Sequence, residues 1–200
     1  MYAQLPSTQG HLITLAHASE PEGLAILAHR QTAGRGQFGR VWTAPEGNLN
    51  LSLLLRPGTA LREAPQWSLA AGVAAAEALT PLVPDLRLKY PNDLVLDGAK
   101  LGGILVDSAA DGARLAWLVI GIGINIAQAP EVAEQRTIAL AARGVSMTAE
   151  ALARLILDRI AHWRDVIEVE GFAPVRAAWL DLALDPAAGQ AQFDLLDHAP

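Results

Sequence analysis

The residues best equipped for chemistry fall in two stretches. The first is Gln31-Thr32-Ala33-Gly34-Arg35-Gly36-Gln37-Phe38-Gly39-Arg40-Val41-Trp42, in which three glycines and two arginines lie within seven residues. Glycine reaches positive φ at little cost and lets backbone N–H groups approach a ligand. Arginine carries permanent charge in a planar fork that fits carboxylate and phosphate. Such a loop suits an anionic ligand, although a Gly-rich surface turn with solvated arginines has the same composition.

The second stretch is Lys89-Tyr90-Pro91-Asn92-Asp93 with Lys100-Leu101-Gly102-Gly103 beyond it. A residue before proline is driven into extended conformation, so Lys89-Tyr90 closes a strand and Asn92-Asp93 turns behind it. Asp97-Gly98 between apolar runs predicts a hairpin, which returns Lys100 to the same edge. Asn92 offers both an amide donor and an acceptor to a base or sugar. Asp93 is placed to orient a cation or a lysine. Alternation along residues 100–107 predicts Lys100, Gly102 and Ile104 on one face and Leu101, Gly103 and Leu105 on the other. The glycine pair leaves space for a ligand against backbone. Gly121 and Gly123 are expected to break a strand just before Asn125, giving a second such place. A polar turn with solvent-facing lysines is the plainer alternative for the 89–100 block.

No Ser-His-Asp or Cys-His set is visible, and no pair of carboxylates stands out as acid and base. Cations, amides and glycines dominate. A site so built works by positioning and charge stabilisation, as in phosphoryl or nucleotidyl transfer. The Gly34-x-Gly36-x-x-Gly39 pattern does not signal a dinucleotide fold. That fingerprint needs a helix directly after the glycines and an acidic residue about 20 positions on. Here Pro45 and Gly47 lead into a strand-like run instead, and Leu54, Leu55 and Arg56 stand where the acid belongs.

The elements that position these residues follow from periodicity. Ser7-Thr8 caps a helix over 9–18, with Leu12, Ile13 and Ala16 on one face. Strands are expected at 24–28 and 48–55, and an alanine-rich helix at 63–79 that offers Trp67, Leu69, Ala70, Val73 and Ala74 for packing. Strands at 86–89, 94–96, 100–107 and 115–122 come next, the last two joined at Asp111-Gly112. A polar connection over 127–147 holds a short helix near 138–143. Beyond Thr148 a long amphipathic helix carries Leu152, Leu155, Ile156, Ile160, Trp163 and Ile167 at the 3.6-residue period. A further helical piece covers 172–184, and from Asp185 to Pro200 the pattern dissolves. Hairpins mixed with helices predict an α+β fold with a mixed, mostly antiparallel sheet.

Composition narrows the function classes. The 200 residues carry a net charge of −6 and are 52% hydrophobic, the profile of an acidic globular protein without a nucleic-acid footprint. With no cysteine, thiolate metal sites and disulfides are excluded. The five histidines show no metal-ligand spacing, so no tight protein metal site is expected. No basic leader or apolar run of about 18 residues occurs, and the expected location is the cytoplasm, away from membranes.

Taken together, the motifs resemble those of the biotin–protein ligases, in that family's order over residues 7 to 126. Ser7-Thr8-Gln9 resembles its Ser-Thr-Asn element. Gln31 to Gly36, continuing through Gly39-Arg40-x-Trp42-x-x-Pro45-x-Gly47-Asn48-Leu49, resembles its biotinyl-adenylate loop. Lys89-Tyr90-Pro91-Asn92-Asp93 resembles Lys-Trp-Pro-Asn-Asp. Lys100-Leu101-Gly102-Gly103-Ile104-Leu105 resembles the segment with the essential lysine, and Gly121-Ile122-Gly123-Ile124-Asn125 completes the set.

The resemblance implies a class II aminoacyl-tRNA synthetase-like catalytic fold over residues 1–184. Residues 185–200 would be a tail, a remnant or truncated start of the family's small β-barrel domain. With only residues 1–6 before Ser7, no helix-turn-helix domain and no DNA partner are expected. The implied reaction activates biotin with ATP and Mg2+ to biotinyl-5′-AMP, then transfers biotin to a lysine of a biotin carboxyl carrier domain of acetyl-CoA carboxylase or a related enzyme. Lys100, Arg35, Arg40 and Asp93 would form the catalytic group. Biotin would be held by Ser7, Thr8, Gln9, Gln31, Arg35, Gly36, Gln37, Lys100, Gly102 and Gly103. The adenylate would lie against Gly34, Arg35, Gly36, Arg40, Trp42, Lys89, Asn92, Asp93, Gly121, Gly123 and Asn125.

Gln9, Tyr90 and Gln37 depart from the family's usual Asn, Trp and Arg, and the last removes a cation from the adenylate cover. Relatives often pair through an exposed sheet edge, so a homodimer is an expectation that the residues leave open. Two other functions are the alternatives: a lipoate or octanoate ligase of the same fold, whose family lacks the Lys-x-Pro-Asn-Asp signature, and a non-catalytic holder of biotin or its adenylate.

Overall fold

The computed structural model describes residues 1–133 and 135–197. Its elements run β1 (Tyr2–Leu5), α1 (Thr8–His17), β2 (Ala25–Gln31), β3 (Leu49–Leu55), α2 (Ala64–Leu79), β4 (Arg87–Lys89), β5 (Asp93–Leu96), β6 (Ala99–Asp111), β7 (Arg114–Ile124), α3 (Ala149–Glu170), α4 (Ala173–Asp181) and α5 (Pro186–Asp197). The strands form one sheet in the order β1-β2-β3-β7-β6-β5-β4. Only β1 and β2 pair in parallel; every other neighbouring pair is antiparallel. The mixed, mostly antiparallel α+β architecture expected from the hairpin pattern is therefore present.

Strand β3 shows how the sheet gains two unlike faces. Its sequence is Leu-Asn-Leu-Ser-Leu-Leu-Leu, and successive side chains in a strand point to opposite sides. Leu49, Leu51, Leu53 and Leu55 pack into the main core with Trp67, Val73 and Ala74 of α2 and Ile156 and Ile160 of α3. The alternate positions are Asn50, Ser52 and Leu54. Leu54 meets Leu12 and Ala16 of α1, with Ile26, Trp117 and Val119, in a smaller second cluster. Strand β7 repeats the pattern, with Leu118, Ile120, Ile122 and Ile124 in the main core and Trp117 and Val119 in the second. Each fully buried leucine or isoleucine contributes on the order of 2 kcal/mol, so this alternation fixes the register firmly. One sheet face is thus all core, and the other is part core and part polar floor.

Helix ends follow the predicted signals. The Ser7 side chain accepts from the Gly10 N–H at 3.2 Å and caps α1. The Thr148 hydroxyl accepts from the Ala151 N–H at 3.2 Å and caps α3. Along α3 the stripe of Leu152, Ile156, Ile160, Trp163 and Ile167 is buried as the spacing requires. Leu155 is not part of it and stands 45% exposed beside the stripe.

Two further expectations are corrected. Residues 185–197 are not patternless. The Asp185 carboxylate accepts from the Ala188 N–H at 3.0 Å, Pro186 opens α5, and Phe193 is buried edge-on against Trp179 with ring centroids 5.5 Å apart. Asp-Pro at a helix start was the available signal; a single apolar anchor among small and polar residues hid it. Residues 198–200 of that tail lie outside the described residues. Nor do Gly121 and Gly123 break β7, which runs through both, because β3 and β6 hold its backbone from either side.

The chain between α4 and α5 also covers the sheet edge. The Leu88 N–H donates to the Leu182 carbonyl and the Leu184 N–H donates to the Leu88 carbonyl, both at 2.8 Å. This pairing closes β4 to other strands. If α5 belongs to the fold as this packing requires, Phe193→Ala lowers unfolding stability by about 3 kcal/mol. Urea denaturation followed by circular dichroism reads that loss; an unchanged midpoint would place α5 outside the cooperative unit.

Candidate functional site

Over the polar part of the sheet lies a cavity of about 550 Å3. Its floor comes from Asn50 and Ser52 of β3, Gly121 and Gly123 of β7, and Gly103 and Leu105 of β6. The N-terminus of α1 supplies Ser7, Thr8 and Gln9 to one wall, and Gln31 stands at the end of β2. Arg35, Gly36, Gln37, Arg40 and Trp42 come from the glycine-rich loop. Lys89, Asn92, Asp93 and Lys100 arrive from the β4–β5–β6 edge, and Asn125 from the end of β7. Two of the predicted residues do not line the cavity. Gly34 is buried under the Trp42 carbonyl, and Gly102 packs against the Gly123 carbonyl and Ile124. Both permit close backbone approach and present nothing to a ligand.

The glycine-rich loop is a small closed hairpin. The Trp42 N–H donates to the Gly34 carbonyl at 3.0 Å, the Gly36 N–H to the Arg40 carbonyl at 2.8 Å, and Arg35 bridges Val41. The turn at its tip needs φ of 55° at Phe38 and 73° at Gly39. Phe38, 91% exposed, is a large apolar side chain left in solvent at the cavity mouth. Arg35 reaches the floor, with Nη1 3.6 Å from the Asp107 carboxylate.

Lys100 and Asp93 form the tightest charged contact in the cavity, Nζ to Oδ1 at 2.6 Å, with both side chains about four-fifths buried (20% and 17% exposed). Simple alternation misplaces Lys100. Leu94 pairs Gly102 while Val95 pairs Lys100, so Leu101 has no partner and β6 bulges there. The bulge shifts the phase: Leu101 and Ile104 both enter the main core, while Lys100 shares the cavity side with Gly103. A Cβ at Gly103 would stand 3.4 Å from Lys100 Cε and 3.6 Å from Asp93 Oδ1, so the glycine leaves the ion pair open to the cavity. The lysine backbone is clamped as well, its N–H donating to the Arg136 carbonyl at 2.9 Å and its carbonyl accepting from Ile138 at 3.0 Å.

Asn92 and Asn125 do more structural work than their predicted roles imply. The Asn92 amide donates to the Ile104 carbonyl at 2.7 Å while the Ile104 N–H donates to the Asn92 carbonyl at 2.9 Å, pinning the turn to β6. Asn125 donates to the Ile138 carbonyl at 3.1 Å and so ties down the chain after β7. Lys89 is exposed at the rim.

Beneath the cavity runs a buried hydrogen-bond network that sequence reading found only in part. Gln9 Nε2 donates to Asp107 Oδ2 at 3.0 Å and to the Val119 carbonyl at 2.9 Å. The Ser52 hydroxyl donates to Gln9 Oε1 at 3.1 Å and lies 2.9 Å from Thr8 Oγ1. Gln31 Oε1 accepts from the Thr8 N–H at 2.7 Å and the Thr8 hydroxyl at 3.2 Å. Asn50 Oδ1 accepts from Gln31 Nε2 at 3.0 Å and from the Trp42 indole at 3.2 Å. Asn50, Ser52 and Asp107 were missed. The signal for the first two was present, since polar residues at alternate positions of an otherwise all-leucine strand mark one polar face. Among the described residues no three His, Cys, Asp or Glu side chains gather as a metal site. Nor, among the described residues, is any helix long and apolar enough to cross a membrane.

Residues 2–125 match the family model described as Biotin/lipoate A/B protein ligase family. The chain is 36% identical over 188 residues to the bifunctional ligase/repressor BirA of Bacillus subtilis, covering 90% of this chain but 58% of that one. To the biotin–[acetyl-CoA-carboxylase] ligase of Paracoccus denitrificans it is 35% identical over 189 residues, covering 90% of this chain and 78% of the relative. The biotin protein ligase from Aquifex aeolicus, solved in complex with biotin and ATP, has the same fold with a TM-score of 0.76. Identity there is 29%, over 92% of this chain and 78% of that one.

A side chain at Gly123 has no room, because its Cβ would meet the Trp42 ring. Gly123→Ala therefore displaces the indole from Asn50 and lowers stability by about 1 kcal/mol. The accompanying change in tryptophan emission vanishes in a Trp42→Phe background. Emission that is unchanged by Gly123→Ala would show that the ring does not rest on this glycine.

Proposed function

The chain belongs to the Biotin/lipoate A/B protein ligase family, and from that premise we propose that it is an ATP-dependent ligase that biotinylates a protein lysine. In the first step a biotin carboxylate oxygen attacks the α-phosphorus of ATP, forming biotinyl-5′-AMP and releasing pyrophosphate. In the second, the neutral amine of an acceptor lysine attacks the anhydride carbonyl, AMP leaves, and the amine gives up its proton. The acceptor would be a biotin carboxyl carrier domain, in keeping with the carboxylase named for the Paracoccus relative.

The observation that carries this reading is one cavity with two kinds of wall. Lys100, Arg35 and Arg40 line it with cations suited to bringing an anion onto a polyanion, and a network of amides and hydroxyls, with the Asp107 carboxylate beneath Arg35, forms the floor. Lys100 suits both the biotin carboxylate and the α-phosphate, and its pairing with Asp93 orients the ammonium before substrate arrives. Ser7, Thr8 and Gln31 would hold the ureido ring, where paired polar groups reject analogues strongly. Trp42 and Asn92 would border the adenine. Asp93 is already engaged by Lys100, so Mg2+ fits as a passenger on the ATP phosphates, where it would screen their charge. A lipoyl group, with a dithiolane in place of the ureido ring, would offer the Ser7 and Thr8 hydroxyls no hydrogen-bonding partner, which favours biotin within the family.

Biotin-dependent exchange of labelled pyrophosphate into ATP tests the first step without knowledge of the acceptor. Exchange is expected with biotin and not with lipoate, and Lys100→Ala is expected to lower it about 100- to 1,000-fold with the fold intact. Exchange driven by lipoate would move the protein to the other branch of the family. Biotin binding without any exchange would make it a non-catalytic holder.

A further inference from the structure

Ser52 is a fully buried hydroxyl in a strand otherwise made almost wholly of leucine. It is flanked by Gln9 and Thr8, and the direction of every proton around it can be worked out. The carbonyls of Val119 and Ala28 and the Asp107 carboxylate only accept; the Trp42 indole and the Thr8 backbone N–H only donate. Val119 and Asp107 therefore fix the Gln9 amide with Nε2 towards them, which leaves Oε1 as an acceptor. Ser52 must spend its single proton on that oxygen.

At the far end, Asn50 donates to Ala28 at 3.3 Å and accepts from Trp42, so its oxygen faces Gln31. Gln31 then donates to Asn50 and accepts from Thr8. The Thr8 hydroxyl proton has two destinations, Ser52 Oγ at 2.9 Å and Gln31 Oε1 at 3.2 Å, and both lie inside the network. Thr8 is left with lone pairs alone for the cavity. Ser7 is its opposite: its oxygen accepts from Gly10, and no acceptor among the described hydrogen bonds takes its proton.

We infer that Ser52 is a specificity-determining positioning residue. It offers the Thr8 proton the shorter of its two contacts, with Gln31 Oε1 the longer, and so keeps Ser7 and Thr8 as a donor beside an acceptor, which selects a ligand bearing a carbonyl next to an N–H. This rests on the biotin reading of the cavity, whose ureido ring has that arrangement.

The test compares binding of biotin with binding of its cyclic carbamate analogues, in which one ureido N–H at a time is replaced by oxygen. In the wild-type protein one of the two analogues binds about 100-fold more weakly than biotin, because an oxygen then faces the Thr8 lone pairs. Ser52→Ala leaves the Thr8 proton only the longer contact to Gln31 Oε1, an oxygen that already accepts from the Thr8 N–H at 2.7 Å, so the hydroxyl is freer to turn outwards and the ratio falls to about 10-fold or less while KM for ATP is unchanged. Ser52→Thr, which keeps the hydroxyl, restores the wild-type ratio. Thr8→Val removes the lone pairs without touching Ser52 and must also collapse the ratio, which serves if the Ser52→Ala protein does not fold. A ratio unaltered in Ser52→Ala or Thr8→Val overturns the inference and leaves the functional reading intact. Equal weakening of all ligands with a raised KM for ATP overturns it too, as a purely structural effect. A wild-type protein that binds neither biotin nor the carbamates overturns the functional reading itself.

Discussion

Polar groups taken out of water must find partners, and that constraint shapes the centre of this molecule. Gln9, Asn50, Ser52 and Thr8 are each no more than 3% exposed, and all are hydrogen-bonded. They come from α1 and β3, and their partners from β2, β6, β7 and the glycine-rich loop. A single orphaned amide or hydroxyl there would cost about 1–3 kcal/mol, so the six segments must meet in one register. The leucine side of the same strands secures that register. The floor of the site and the packing of the core are two faces of one arrangement.

Glycine has a different purpose in each region of the site. Gly123 clears space for the Trp42 ring and Gly121 for the Gln9 amide, so they serve side chains that reach over β7. Gly34 and Gly102 let backbone lie on backbone. Only Gly39, at the tip of the loop hairpin, is needed for its left-handed conformation. A glycine-rich motif is thus a record of what passes close by, which differs from one position to the next.

The charged side of the cavity is built on a different principle. Lys100 and Asp93 are held by geometry: a bulge turns the lysine to the cavity, hydrogen bonds on both sides of its backbone fix it, and Gly103 keeps the space beside it empty. Arg35 is held more loosely, over Asp107 and half exposed, at the end of a loop with an unpacked phenylalanine. Rigidly and loosely held cations thus line one cavity.

Much of this was legible from residue order. Periodicity located α1 to α4 and β2 to β7, though not β1, while Ser7 and Thr148 marked helix caps and Asp97-Gly98 marked the hairpin that brings Lys100 back to Asp93. These are local effects, settled within a few residues along the chain, and so the sequence by itself determined them. The motif residues could likewise be named as a group, because spacing and chemical type survive in the linear chain. Tertiary structure alone decided which face Lys100 occupies, since a bulge depends on the partner strand. It also decided that β7 continues through its glycines, that α5 packs through Phe193, and that Asn50, Ser52 and Asp107 complete the floor. Each of these depends on contacts between residues far apart in sequence, where hydrogen-bond partners and packing neighbours are chosen by the assembled sheet.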